Sequence, residues 1–168
     1  MVPMRVRVGR LEGEGGEPAA RLEGEREAPT LFGVAVTQAE TFIDERRVLV
    51  VSYNRREPPG TLGYSVVVQP GFHVGDHYHH HREERIVVLH GRAEFRLLDQ
   101  RGGSATRGVL NLFTIDYPGC CVRIPAGVAH TVVADGTLTV LQVLASSDYD
   151  PADDVHLALS RMALPPAE

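Results

Sequence analysis

Lysine and tryptophan are missing altogether from these 168 residues, and cysteine occurs only twice. All 17 basic residues are arginine, which closes off Schiff-base, pyridoxal and P-loop lysine chemistry. Cys120 and Cys121 are neighbours. Adjacent residues of a strand point to opposite faces, so an ordinary disulfide between them is excluded, and neither has C-x-x-C spacing. They read as two small residues packed in a strand. No apolar run approaches the roughly 20 residues of a membrane span. Met1 to Arg7 contains no apolar signal core, so the expectation is a cytoplasmic protein without a membrane partner. A net charge of −5, from 22 acidic against 17 basic residues, offers nucleic acid no basic surface.

What is present fits one domain with a core of its own. Residues 1–29 stand apart as an N-terminal arm, because residues 9–29 are rich in Gly, Glu, Arg and Pro and nearly devoid of bulky apolar side chains. Within that arm, Arg5 to Val8 is expected as a short edge or exchanged strand. From residue 30 to 168 the texture changes. Val48 to Tyr53, Leu62 to Val68, Arg85 to Leu89, Ala93 to Leu98, Cys121 to Ile124, Thr131 to Val133 and Leu138 to Leu144 are short β-type runs, each bounded by Gly, Pro or Asp. Strands at this spacing predict an all-β sandwich or barrel. One short C-terminal helix is expected, entered at Asp150-Pro151 and running to about Arg161.

Five of the eight histidines, His73, His77, His79, His80 and His81, fall within nine residues. His77 and His79, at i and i+2, share one face of a strand and can enter one cavity. Glu84 begins the next apolar run and His130 follows the remote Pro125-Ala126-Gly127 turn. Two sequential imidazoles, a carboxylate from a neighbouring strand and a remote imidazole suit a divalent transition metal.

These residues carry a family resemblance. Gly71, His77, His79, Glu84 and Gly91 stand at the spacing of the first cupin motif; Gly119, Pro125, Gly127 and His130 at that of the second, whose closing Asn is Ala134 here. The chain thus resembles the cupin superfamily, which implies a single-domain jelly-roll β-barrel with His77, His79, Glu84 and His130 as metal ligands and Zn, Fe, Mn or Ni as the ion. Within that superfamily, Phe42-Ile43-Asp44-Glu45-Arg46 is similar to a stretch of dTDP-4-dehydrorhamnose 3,5-epimerases. Gly75 to His80 with Glu83-Glu84 resembles the cupin domain of capsular sugar epimerases, and Val143 to Asp150 resembles the end of dTDP-sugar 3,4-ketoisomerases. The 3,5-epimerase acid is a tyrosine, where this chain has Leu144.

The resemblance implies an epimerase or isomerase of a nucleotide-activated 4-keto deoxysugar, working by enolisation beside the carbonyl. With a metal bound, His73, Tyr78 or Tyr149 would handle the proton; without one, His77 or His79 would be the base. Arg55, Arg56 or Arg123 are candidates to clamp a diphosphate. The alternatives are a metal-dependent dioxygenase or other small-molecule oxidoreductase, and a cupin that binds a sugar or metabolite without turnover. A homodimer is expected from the exposed strand edges.

Overall fold

The computed structural model describes residues 6–10, 31–44, 47–51 and 60–162. Its strands are β1 (Val6–Arg10), β2 (Ala35–Gln38), β3 (Glu40–Asp44), β4 (Arg47–Val51), β5 (Leu62–Val68), β6 (His73–His79), β7 (Glu84–His90), β8 (Ala93–Asp99), β9 (Val109–Ile115), β10 (Cys120–Ile124), β11 (Val128–Ala134), β12 (Thr139–Ala145) and β13 (Asp154–His156). They form an all-β jelly roll. A six-stranded sheet runs β1-β9-β8-β11-β6-β13, a five-stranded sheet runs β2-β10-β7-β12-β5, and β3 and β4 make a separate ribbon. The core fills the space between the two sheets, with Phe95, Leu97, Phe113 and Ile115 of the first facing Ile86, Val88, Val122, Leu141 and Val143 of the second. Each such side chain contributes about 2 kcal/mol by leaving water. Cys120 and Cys121 are both buried and free.

Several strands carry apolar residues on both faces because the six-stranded sheet is covered on its outside as well. Leu98, Leu110, Leu112 and Ala129 pack there under Leu159, joined by Tyr78, Leu157 and Met162. The cover is not the helix expected from Asp150-Pro151. Asp150 instead closes a tight turn, accepting from the Ala152 amide through Oδ1 at 2.9 Å. Residues 154–156 then pair with β6, and the helical part shrinks to one 3-10 turn, Leu159–Arg161. Pairing a free sheet edge outweighs a local capping signal. Val6–Arg10 is an edge strand on β9 of its own chain; residues 11–29 of the expected arm lie outside the described residues.

One irregularity places the histidines. The β6–β11 register runs Val74↔Val132, Gly75↔Thr131 and then His77↔His130, so Asp76 is an extra, bulged residue. Gly75 and Asp76 have φ of 97° and 64°. A Cβ on Gly75 would lie 2.7 Å from the His130 carbonyl oxygen, so both space and backbone demand glycine. Val74 packs into the core. Strict alternation from there would turn His77 and His79 outward; the bulge turns them in.

Candidate functional site

His77 and His79 come from β6, His130 from β11 of the same sheet, and Glu84 from the start of β7 in the facing sheet. One ligand-capable atom from each lies within 4.8 Å of all the others. The rings of His77 and His79 are 4.7 Å apart between centroids, and those of His77 and His130 4.8 Å. His79, Glu84 and His130 are buried and His77 is half-buried.

The connection between His79 and Glu84 is held by the chain's C-terminal part. Asp153 accepts from the amides of His80 (2.8 Å), His81 (3.0 Å) and Arg82 (3.1 Å), and the Ser146 hydroxyl accepts from the Glu83 amide at 2.9 Å. Burial alone would raise the Asp153 carboxyl; these backbone donors hold it below its ordinary value. Arg82 is buried, with Nη1 3.7 Å from Glu84 Oε1 and Nη2 donating to the Asp148 carbonyl at 3.1 Å.

The electrostatics favour a cation at the centre. His130 Nδ1 lies 3.2 Å from the Val128 carbonyl. With the hydrogen there, Nε2 presents a lone pair to Glu84 Oε2 at 3.2 Å. His79 Nδ1 lies 2.9 Å from Asp154 Oδ1, and its Nε2 is 3.4 Å from Glu84 Oε1. Neither His79 Nε2 nor Glu84 Oε1 makes a hydrogen bond, although both are buried. Lone pairs facing a carboxylate repel unless a positive centre, proton or metal, lies between them. Burial would raise Glu84, but the adjoining His130 and His79 rings hold its carboxyl well below the usual carboxylate range. Burial, then the neighbouring His130 and His79, push His77 down to about 4. An ionised carboxylate and a neutral imidazole are the forms that ligate metals. Three nitrogens and one oxygen are a donor set that suits Zn, Fe, Mn or Ni. The residues fit such an ion. Asp154 behind His79 is the kind of carboxylate that orients a ligating imidazole.

The other candidates lie elsewhere. His73 precedes the bulge, is partly exposed, and pairs with Asp76 at 3.2 Å. Tyr78 is on the outer face of β6, packed in the cluster under Leu159. Tyr149 is exposed, and the Arg82 guanidinium lies 5.6 Å from its ring centroid. Arg123 forks onto Glu83 with two bonds of 2.7 Å; Arg55 and Arg56 lie outside the described residues. The sequence reading overlooked Tyr64 of β5. It pairs with Val143 of β12, which pairs with Ile86 of β7, so Tyr64 shares the inward face of Ile86 and Glu84. Burial, then the Glu84 charge, push its phenol up to about 12. Only the inward parity of β5, invisible without its register, marks this tyrosine among five.

The fold has known likenesses. A dTDP sugar isomerase from Desulfovibrio desulfuricans superposes with a TM-score of 0.71 at 17% identity, covering 78% of this chain and 87% of that one. A double mutant of a 3'-monoepimerase from Streptomyces bikiniensis, in complex with dTDP, gives 0.72 at 18%, covering 83% and 78%. A sugar 3,4-ketoisomerase from Thermoanaerobacterium thermosaccharolyticum, in complex with TDP, gives 0.62 at 21%, covering 75% and 89%. At these identities the likeness is one of fold, the cupin jelly roll. No curated protein sequence matches. The family model described as the polysaccharide biosynthesis C-terminal domain matches residues 43–154, the greater part of the sequence, and the chain belongs to that family.

Proposed function

We propose that this protein is an epimerase or isomerase of a nucleotide-activated 4-keto deoxysugar, acting by enolisation next to the carbonyl. The carrying observation is the convergence of His77, His79, Glu84 and His130 on the inner face of the barrel, with Tyr64 turned toward the same carboxylate. Fold relatives that are dTDP-sugar isomerases and epimerases support the choice of substrate class.

The four inner residues are proposed to hold a divalent Zn, Fe, Mn or Ni ion. Such an ion, when bound, polarises a carbonyl oxygen as a Lewis acid. His77, with its ring pushed down to about 4, is neutral in the physiological range and offers its lone pair. A base that weak is poorly matched to removing a carbon-bound proton, which favours the ligand role over the role of free base. Tyr64, pushed up to about 12, stays a neutral phenol and can donate a hydrogen bond to the oxygen on which enolate charge develops. Asp153 and Ser146 keep the His79–Glu84 connection fixed, so the site is organised before substrate arrives. The working form is proposed to be a cytoplasmic homodimer. Phe42, Val48 and Leu49, exposed on the β3–β4 ribbon, support burial of that surface against a second copy.

The test is proton NMR of the protein with dTDP-4-keto-6-deoxyglucose in deuterium oxide, with bound metal assayed on the same sample. Deuterium entering beside the carbonyl, or a shifted ketone, is expected. No exchange together with tightly bound iron would transfer the assignment to oxygen chemistry. No exchange with zinc or no metal would leave a binding module.

A further inference from the structure

The inner imidazoles are already committed. His130 turns Nδ1 to Val128 and Nε2 to Glu84; His79 lies between Asp154 and Glu84; His77 lies against both rings. With these three as ligands, a proton moved at a substrate carbon needs another carrier. His73 and Tyr78 sit on the wrong side of β6, and Tyr149 lies over Arg82.

The register of β13 supplies one. Asp154, Val155 and His156 stand opposite His79, Tyr78 and His77. Residues directly opposite in an antiparallel pair project from the same face, with Cβ atoms about 4.5–5.5 Å apart. Asp154 identifies that face, because its Oδ1 is 2.9 Å from His79 Nδ1. His156, two residues on, shares it and stands beside His77, while Leu157 packs in the outer cluster. Exposure rises in the same direction along both strands: His79 is buried and His77 half-buried, Asp154 is half-buried and His156 exposed. His156 therefore stands at the solvent end of the site, a fourth imidazole next to the four-residue cluster and outside it.

Resting on the enolisation reading, we infer that His156 is a catalytic residue, the proton carrier of the site. Its unprotonated ring nitrogen accepts the hydrogen from the sugar carbon beside the carbonyl. The C–H electron pair becomes the carbon–carbon double bond and the carbonyl π pair moves to oxygen. The imidazolium then returns a proton to carbon as the carbonyl re-forms. Nothing is oxidised or reduced, and no co-reactant is consumed. Because the ring is exposed, its proton trades with solvent between the two steps, so the product acquires a solvent hydrogen.

The test follows dTDP-4-keto-6-deoxyglucose with the full chain in deuterium oxide, comparing wild type, His156→Ala and His156→Gln, each with its metal content and circular dichroism measured. Both variants should keep the metal content and spectrum of wild type while exchange beside the carbonyl falls by about 100-fold. Added imidazole should restore exchange to His156→Ala, where it leaves room for the ring. Variants that exchange within about twofold of wild type would overturn the assignment and leave the enolisation reading standing. A wild-type chain that exchanges no proton would overturn both. Loss of exchange accompanied by loss of metal, or a loss that imidazole does not relieve, would make His156 a positioning residue and overturn its role as carrier.

Discussion

Glu84 and Asp99 are both buried carboxylates at strand ends, and both are held below the usual carboxylate range, yet their surroundings are opposite in kind. Asp99 is saturated. Its Oδ1 accepts from the amide (3.0 Å) and Nε (2.9 Å) of Arg101, and its Oδ2 from Arg101 Nη2 (2.7 Å), the Ser104 hydroxyl (2.6 Å) and the Thr106 hydroxyl (2.6 Å). Every partner lies within seven residues, so the knot is local and complete. Glu84 has longer approaches, 3.2 Å to His130, 3.4 Å to His79 and 3.7 Å to Arg82, the two imidazoles coming from separate strands of the facing sheet, and its Oε1 has no hydrogen bond. A buried carboxylate that is fully satisfied fastens a loop. One that is left short of donors among bare imidazoles is arranged for something that arrives later.

The largest effect is expected at the proposed ligands. His77→Ala together with His130→Ala should abolish stoichiometric binding of divalent transition metal while the circular dichroism stays that of a folded β protein. Full metal content in this double variant, measured by elemental analysis, would remove the assignment of the four-residue cluster as the metal site. At Asp99 the large effect should be on stability alone. Asp99→Ala strands a guanidinium and two hydroxyls, at a cost of about 3 kcal/mol in denaturant unfolding, with metal content unchanged. The pH dependence follows from the sign of the shift. Burial opposes ionisation of Asp99, but the bonds from Arg101, Ser104 and Thr106 more than reverse this and depress its folded pKa. Its stabilisation is therefore present above the unfolded value of about 3.9 and lost as pH falls below it. Asp99→Asn should flatten that part of the acid limb relative to wild type; an unchanged slope would remove Asp99 from the account.

A finer contrast lies behind His79. Asp154 touches a proposed ligand without being one. Asp154→Asn should weaken metal binding by about tenfold in a competitive chelator titration, with little change in unfolding midpoint. If instead it lowers stability as Asp99→Ala does and leaves metal affinity alone, Asp154 belongs with the structural carboxylate.

The sequence carried the convergence of His77, His79, Glu84 and His130 well because these residues sit in spaced motifs with the turn glycines that frame them. It carried the strands where apolar runs end at Gly, Pro or Asp. It did not carry register. Nothing in the order of residues says that Asp76 is bulged, so His73 and His77 looked equivalent until the bulge put them on opposite faces. Tyr64 and His156 were illegible for the same reason. Each belongs to an outermost strand of its sheet, β5 or β13, and each becomes part of the site only through pairing with a strand distant in the chain. The Asp150-Pro151 signal failed because residues 154–156 had a sheet edge to join, and long-range pairing overrode local propensity.

The smallest effect sharpens the lesson about what a short distance is worth. Arg123 meets Glu83 through two bonds of 2.7 Å, as short as the Arg101–Asp99 contact. Glu83 also neighbours Glu84, so by sequence and distance the pair invites a functional reading. Its side chains are 52% and 33% exposed, however, where water and salt compete for both charges. Arg123→Ala should change unfolding free energy by no more than about 0.5 kcal/mol and leave metal content as it was. A loss comparable to that of Asp99→Ala would mean that bond length outweighs burial in this barrel. The expected near-silence of Arg123→Ala would trace the difference between the two arginine–carboxylate pairs to exclusion of water.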